Sequence, residues 1–544
     1  MKIFSTLILA VLTLVGLVGD VRAQVEGQVY ANSDAPERLV RDGGPIFLAG
    51  IGDLTDFFYR GTLNPDGTRD GDQLELIVAL ADQGANLITV AVVYGAAGEV
   101  PFAPWDPDDQ RRRLNDDVLD QWDRWFAEMH RRGIVALVTL YGGGVDPGRE
   151  LGWPMDAAGS LHPDERRFIR RVVDHLERHP NVIWGVGEKG NTAGARWPQR
   201  AERMAREIRG EDGDRHLIAA YLYEGMPFDP DSEAPIDLYV LSSRDVEPET
   251  PSALHAYILE TQAAIPGRAL LWVGGPLQEQ LVREGDRQGV RQRMWAAAMA
   301  GAHVVLNGLD NDEWAAGPMQ DLRRLRAFLE STEYHTMAPH DDLAGPGTQY
   351  VLALPGQRYV AYSSGGATRV GLRKLEAGTY DLTWFDCETG ASVVQNGVEV
   401  AAGSQSWFRP EGIGPELALY VRLSEAGVQP EVTTVDEIPE TRRSRARGNE
   451  APVAYSRSTF TLSGEPVAIT LRFTDPDGGP GPYSVVITEP PSHGHIEGSG
   501  ASLHYIPDPD FSGVDRFSWL VHDGAEASQT VTQRIEVLPH VSPQ

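Results

Sequence analysis

Glu188 ends an apolar run, Val182-Ile183-Trp184-Gly185-Val186-Gly187, where a carboxyl group can trade protons with a ligand beyond the run. Further acids follow other apolar runs: Asp53 and Asp56 early in the chain, then Glu224, Asp245, and Asp310 with Asp312 and Glu313. Paired carboxyl groups across one cleft perform acid–base hydrolysis. One protonates a leaving oxygen, the other attacks carbon or activates water, and a negatively lined cleft steadies the positive charge that develops. On this reasoning Glu188, Glu224 and Asp310 are the candidate catalytic residues. Aromatic side chains recur after the same runs and offer apolar faces to a ligand. Tyr94, Tyr141, Trp153, Tyr223 and Trp314, together with Asp53, form the candidate binding set. Taken singly, each has a plainer reading as a surface charge, a helix cap or a packing residue.

Other reactive types point elsewhere. His130, His175 and His179 fall in helices or at their ends without metal-ligand spacing, and Cys387 has no local nucleophile signature, so these read as structural. Asp475 and Asp477 with Asp523 could offer oxygens to a structural calcium. The rival reading is a turn, because Asp-Pro-Asp-Gly is a strong turn former in its own right. No other cofactor or metal is expected.

The elements that must position the acids follow from periodicity. Eight strand-like runs are expected at Ile46–Ile51, Asn86–Val93, Ile134–Leu140, Val182–Val186, His216–Leu222, Ile236–Leu241, Ala269–Val273 and His303–Asn307. Near-continuous apolar runs such as Leu87–Val93 suit parallel strands buried on both faces. Between them lie helical stripes: Leu74, Ile77, Val78 and Ala81; Trp122, Trp125, Phe126 and Met129; Ile169, Val172, Val173 and Leu176. Eight such units predict a (β/α)8 TIM barrel, whose loops converge at the carboxyl ends of the strands. A doubly wound open sheet is the alternative, but Gly50-Ile51-Gly52-Asp53 lacks a full dinucleotide fingerprint. After the barrel, Tyr350–Leu354, Tyr359–Ser363, Gly378–Phe385 and Leu417–Leu423 predict an antiparallel β domain. Alternation from Ala451 onward predicts a β-sandwich. The expected layout is a signal peptide at 1–23, barrel at 24–338, β domain at 339–423, linker at 424–450 carrying an arginine cluster, and sandwich at 451–538.

Composition narrows the partners. The 544 residues carry 78 Asp and Glu against 48 Lys and Arg, a net −30 that disfavours nucleic acid and anionic membrane. One cysteine excludes an intramolecular disulfide framework. Lys2, the apolar run Ile3–Gly19 and Val21-Arg22-Ala23 have the form of a secretory signal cleaved after Ala23. The other possibility, an uncleaved anchor, meets a run short of the roughly 20 apolar residues a spanning helix needs. A secreted, periplasmic or cell-surface location is expected, without membrane insertion after cleavage.

Three stretches carry a family resemblance. Asn181–Glu188 resembles the fourth strand of clan A glycoside hydrolases, where a run of the form NVIWELGNE delivers the acid/base carboxylate. Arg293-Met294-Trp295-Ala296-Ala297-Ala298-Met299-Ala300-Gly301-Ala302 resembles the helix before the last strand in barrels allied to apiosidases. Leu375–Gly390, with Gly378-Thr379-Tyr380 and Trp384–Gly390, resembles the β domain named as a collagen-binding domain of a collagenase, a name that is no evidence of collagen binding here. Ala451–Ala454, Phe473–Gly478 and Phe511–Phe517 resemble bacterial cadherin-like or Ig-like repeats.

The resemblance implies a glycosidase acting on poly- or oligosaccharide with Glu188 as general acid/base, and the chain departs from it twice. Glu188-Lys189 stands where the family has Asn-Glu, so a gap-free alignment places Lys189 at the acid/base position and a one-residue shift restores Glu188. The seventh strand, expected to end in the nucleophilic glutamate, reads Leu270-Leu271-Trp272-Val273-Gly274-Gly275-Pro276, with Glu279 the next acid. The alternative is a degenerate barrel that binds glycans or surface partners without hydrolysis.

Overall fold

The computed structural model describes residues 25–538 apart from 34, 53, 96–100, 107–112, 188–196, 223–233, 243–246, 308–316, 425–450, 456–457, 465, 475–482, 501, 510 and 524–525. The expected signal peptide, and all of the expected linker after Ser424, therefore lie outside the described residues. Two compact units are present, Met1–Asp436 and Glu437–Gln544.

In the first unit eight parallel strands close into a barrel in chain order. They are β1 Ala49–Ile51, β2 Leu87–Tyr94, β3 Val135–Gly142, β4 Val182–Val186, β5 Ile218–Leu222, β6 Leu238–Ser242, β7 Ala269–Val273 and β8 His303–Leu306. Closure comes from β8 pairing with β1, Val304 opposite Ala49 and Leu306 opposite Ile51. The fold is thus the (β/α)8 barrel and not the open sheet. Around it lie α1 Gln73–Asp82, α2 Asp116–Arg131, α3 Pro163–Leu176, α4 Trp197–Asp212, α5 Pro251–Ala264, α6 Pro276–Arg283, α7 Arg287–Met299 and α8 Pro318–Ser331.

Alternation along each strand explains the continuous apolar runs. Leu137, Ile183, Ala219, Val240 and Leu271 fill the barrel interior, while Val138, Trp184, Leu241 and Trp272 face the helices. Both faces exclude water, so polar interruptions are few and themselves buried, as at Thr89 and Thr139. At the amino ends of the strands a small antiparallel sheet, Val29–Ala31, Leu39–Arg41 and Gly44–Pro45, closes the barrel floor. Its Val29 and Leu39 join the interior cluster. Strands β1 and β2 come so close that a Cβ on Gly50 would stand 1.7 Å from the Leu87 carbonyl oxygen.

The stripes on α2 and α3 bury as expected, from Trp122 to Met129 and from Ile169 to Leu176. On α1 the buried face is rotated: Gln73, Leu76, Ile77 and Leu80 are inside, while Leu74, Val78 and Ala81 are only half-buried. Gln73 turns the helix because its amide donates to the carbonyls of Phe57 at 3.1 Å and Arg60 at 3.0 Å.

His303 opens β8 at the barrel floor, and its Nδ1 accepts the Leu48 N–H at 3.1 Å. Burial, and then the nearby Arg38, pull its pKa from 6.5 down to about 3. The unfolded chain therefore takes up a proton between these values that the folded chain refuses. Stability from this residue is fully present above the unfolded pKa and falls below it by up to about 1.4 kcal/mol per pH unit. Urea unfolding at pH 7.5 and pH 5 should show a smaller acid-induced loss in His303→Asn than in the wild type. Equal losses would remove His303 from the acid response.

A β domain completes the first unit. Its six-stranded antiparallel sheet runs, in spatial order, Ala338–Pro339, Tyr350–Leu354, Arg358–Ser363, Leu417–Leu423, Gly378–Asp386 and Ser392–Val400. Arg369–Leu375 pairs separately with Gly403–Phe408. This domain shares a core with the barrel. Trp295 of α7 stacks on Tyr362 with ring centroids 5.1 Å apart, and Phe328 of α8 stacks on Phe385 at 4.6 Å. Among these rings Arg291 bonds Glu416 at 2.8 Å and Asp321 at 3.3 Å, with all three side chains at most 4% exposed. Cys387 is buried in the same shared core, and burial pushes its thiol well above the ordinary range.

The second unit is a sandwich of two sheets, antiparallel except where Ser458–Leu462 pairs parallel with Val531–Leu538. Ser458–Leu462, Val531–Leu538, Gly513–His522 and Ser484–Glu489 form one, and Val467–Thr470, Ser502–Pro507 and Gly494–Ser499 the other. Trp519, Tyr505, Phe517 and Ile535 fill the space between them. Asp523, the described member of the possible calcium set, accepts the Glu526 N–H at 2.7 Å, as a turn residue does. Asp475 and Asp477 lie outside the described residues.

Candidate active site

Parallel strands in a closed barrel bring all eight carboxyl ends to one mouth. Glu188, Glu224, Asp310, Asp53, Tyr223 and Trp314 lie outside the described residues, as do Lys189, Asp245, Asp312 and Glu313. The strand ends that lead to several of them are described. Gly187, bonded directly to Glu188, follows β4; Leu222 ends β5; Asn307 follows β8; Gly52 follows β1.

Three members of the expected binding set are described. Tyr94 ends β2 half-buried, and its backbone exchanges hydrogen bonds of 3.0 and 2.7 Å with Phe102. Phe102 itself is 49% exposed, with its ring stacked on Tyr59 at 5.7 Å. Tyr141 and Trp153 are each only 4% exposed and sit inside the packing. The Tyr141 hydroxyl donates to Glu165 at 3.1 Å, and Arg200 reaches the same carboxylate at 2.6 Å and the Trp153 carbonyl at 3.0 Å. Burial, and then the Glu165 charge, raise the Tyr141 pKa well above 10, so the phenol stays a donor. These two aromatics fasten β3 to α3 and α4, and neither shows an open face. Asp56, half-buried near β1, has its carboxyl raised by burial against the opposing Arg60.

The end of β7 is built from residues that the sequence reading did not single out. Gln278, fully buried, fills the space above it, and a Cβ on Gly274 would stand 2.1 Å from its Oε1. Gln278 accepts the Asn307 N–H at 2.9 Å and donates to the Asn307 carbonyl at 3.0 Å. Asn307 in turn donates from Nδ2 to the Gly274 carbonyl at 2.8 Å. Its Oδ1 is buried without a hydrogen-bond partner among the described residues. Glu247 closes the cluster from the β6 side. It accepts the backbone N–H of Leu277 at 2.8 Å and Gln278 at 3.1 Å, satisfying the start of α6, and pairs with buried Arg293 at 2.6 Å. Glu279 lies within α6, 3.8 Å from Arg283. Thus amides, with a capping glutamate behind them, occupy the β7 end. Gly274-Gly275-Pro276 signals the strand-to-helix turn in the sequence, but nothing in it marks Gln278 as the residue that fills the space.

The histidines are structural links. His175 and His179 of α3 and its end both approach Asp123 of α2, at 3.1 and 2.6 Å. Among the described residues no group of three or more His, Cys, Asp or Glu is placed to hold a metal ion.

Comparison with known proteins agrees with this architecture. A glycoside hydrolase family 5 structure from Bacteroides vulgatus superimposes with a TM-score of 0.57 at 15% identity, covering 75% of this chain and 96% of that one. A second structure, a glycoside hydrolase, gives a TM-score of 0.51 at 14% identity over 73% of this chain and 97% of the other. No curated protein matches the sequence. Residues 449–536 match the bacterial Ig domain family, so a bacterial Ig-type domain follows a barrel with the fold of glycoside hydrolases.

Proposed function

We propose that the barrel is a glycosidase that hydrolyses poly- or oligosaccharide outside the cytoplasm, with Glu188 as general acid/base and Glu224 or Asp310 as its second carboxylate. The observation that carries this reading is the closed barrel in a fold shared with glycoside hydrolases, with Glu188 two residues beyond the end of its fourth strand in the sequence. The buried amides at β7 support taking the second carboxylate from another strand. The amino-terminal signal pattern and the bacterial Ig match support export, and among the described residues no helix is long and apolar enough to cross a membrane.

Screening plant and algal oligosaccharides is expected to reveal turnover that Glu188→Gln lowers by about 100-fold or more, within the range for loss of a general acid. The variant should keep the wild-type unfolding profile. Full activity in Glu188→Gln would assign the acid elsewhere, with Lys189→Ala as the matching control for the alternative alignment. Glu224→Gln and Asp310→Asn then distinguish the second carboxylate.

The same amide cluster favours one other reading, a barrel that binds glycans without cleaving them. Calorimetric binding with no product after long incubation would support it. Turnover by the wild type disposes of it.

A further inference from the structure

A pocket opens at the amino ends of the barrel strands, remote from the carboxyl-end mouth, where the floor sheet, β8 and the segment after α8 meet. Three hydrogen-bond donors line it: Arg38 just before the second floor strand, His303 from β8 and Tyr334 after α8. Phe47 holds two of them in place, its ring 5.3 Å from that of His303 and 5.6 Å edge-on to Tyr334. Because His303 Nδ1 accepts the Leu48 N–H, the neutral ring carries its proton on Nε2, which has no acceptor among the described residues. Arg38 spends one N–H on the Met337 carbonyl, and the rest of its guanidinium pairs with no carboxylate among the described residues. The Tyr334 hydroxyl likewise bonds no described residue. His303 and Tyr334 are 5% and 6% exposed and Arg38 is half-buried, so the two neutral donors are set in a built wall.

Donors without acceptors, one of them a cation, make a site that wants negative charge and oxygen lone pairs. Burial already draws the Arg38 pKa down, with the Glu37 charge only partly opposing this. Glu37 lines the exposed rim of the pocket, and Glu330 is the other carboxylate whose charge reaches the lining, at Tyr334.

We propose that this pocket binds a small oxyanion, with Arg38 as the counter-ion and His303 Nε2–H and Tyr334 O–H as neutral donors. The shared chemistry is that of a carboxylate or phosphate oxygen, and the site is separate from the glycosidase mouth.

Unfolding of the full chain followed with sodium phosphate, sodium acetate and sodium chloride at constant ionic strength tests the proposal. Phosphate or acetate is expected to raise the melting temperature saturably in the millimolar range, and chloride is not. A response to acetate alone identifies a carboxylate site, and to phosphate alone a phosphate site. Tyr334→Phe, which removes only the hydroxyl, should weaken the midpoint several-fold, and Arg38→Met should abolish the response. Turnover at the mouth should be indifferent to the anion. A wild-type melt that responds to ionic strength alone would overturn the proposal, as would an unchanged midpoint in Tyr334→Phe.

Discussion

Arg291→Met is expected to lose about 3–5 kcal/mol of stability, the usual cost of breaking a buried ion pair from one side. The guanidinium lies 2.8 Å from Glu416 and 3.3 Å from Asp321, and both carboxylates are nearly inaccessible. Asp321 would retain Arg287 at 2.6 Å and Arg324 at 3.3 Å, so it tolerates the loss. Glu416 would keep the Tyr362 hydroxyl at 2.8 Å but no close cation. Burial already raises its carboxyl pKa, with Arg291 as the chief opposing influence, so the isolated group should protonate rather than stay charged. Glu416→Gln added to Arg291→Met should therefore recover part of the loss, since a neutral amide can still bond Tyr362. Urea unfolding near neutral pH reads both variants. A single variant as stable as the wild type would show that the pair contributes nothing.

Gly50→Ala should be more damaging, at about 4 kcal/mol or beyond, where single substitutions rarely reach. The added methyl would stand 1.7 Å from the Leu87 oxygen and 2.6 Å from its carbonyl carbon. Both atoms are backbone, so no rotamer relieves the overlap, and Gly50 sits directly opposite Leu87 in the β1–β2 register. The strands must part, and with them the closure of the barrel. Gly210→Ala is the control, because nothing lies within 4 Å of its Cβ and it is exposed on α4. There the helix should gain up to about 1 kcal/mol. Comparable behaviour of the two variants in expression and thermal melts would contradict the close approach.

The barrel was legible because its strands are wet on neither face, so Leu87–Val93 or Val182–Val186 can be read without knowing which side points inward. In the β domain the same logic missed Arg369–Leu375, Ser392–Val400 and Gly403–Phe408. Ser392–Val400 has one buried residue out of nine and shows no clear alternation. The phase of α1 was misread because hydrophobicity cannot foresee that Gln73 is buried by two backbone carbonyls. Charged residues hid more. Glu165 and Arg200 look like solvated helix faces, and Arg291 meets Glu416 across 125 positions of sequence, which no local pattern records. At the mouth, strand ends were readable as places for chemistry. The filling of β7 was not, since it depends on Gln278 folding back over Gly274 from the next helix.

The rings and charges shared between α7, α8 and the β domain bear on how such a chain can be recombined. A cut between barrel and β domain would divide Trp295 from Tyr362, Phe328 from Phe385 and Arg291 from Glu416 in one stroke. Barrel and β domain must then be inherited as one cassette. A graft that exchanges the accessory module belongs after Leu423, where the last strand of that cassette ends.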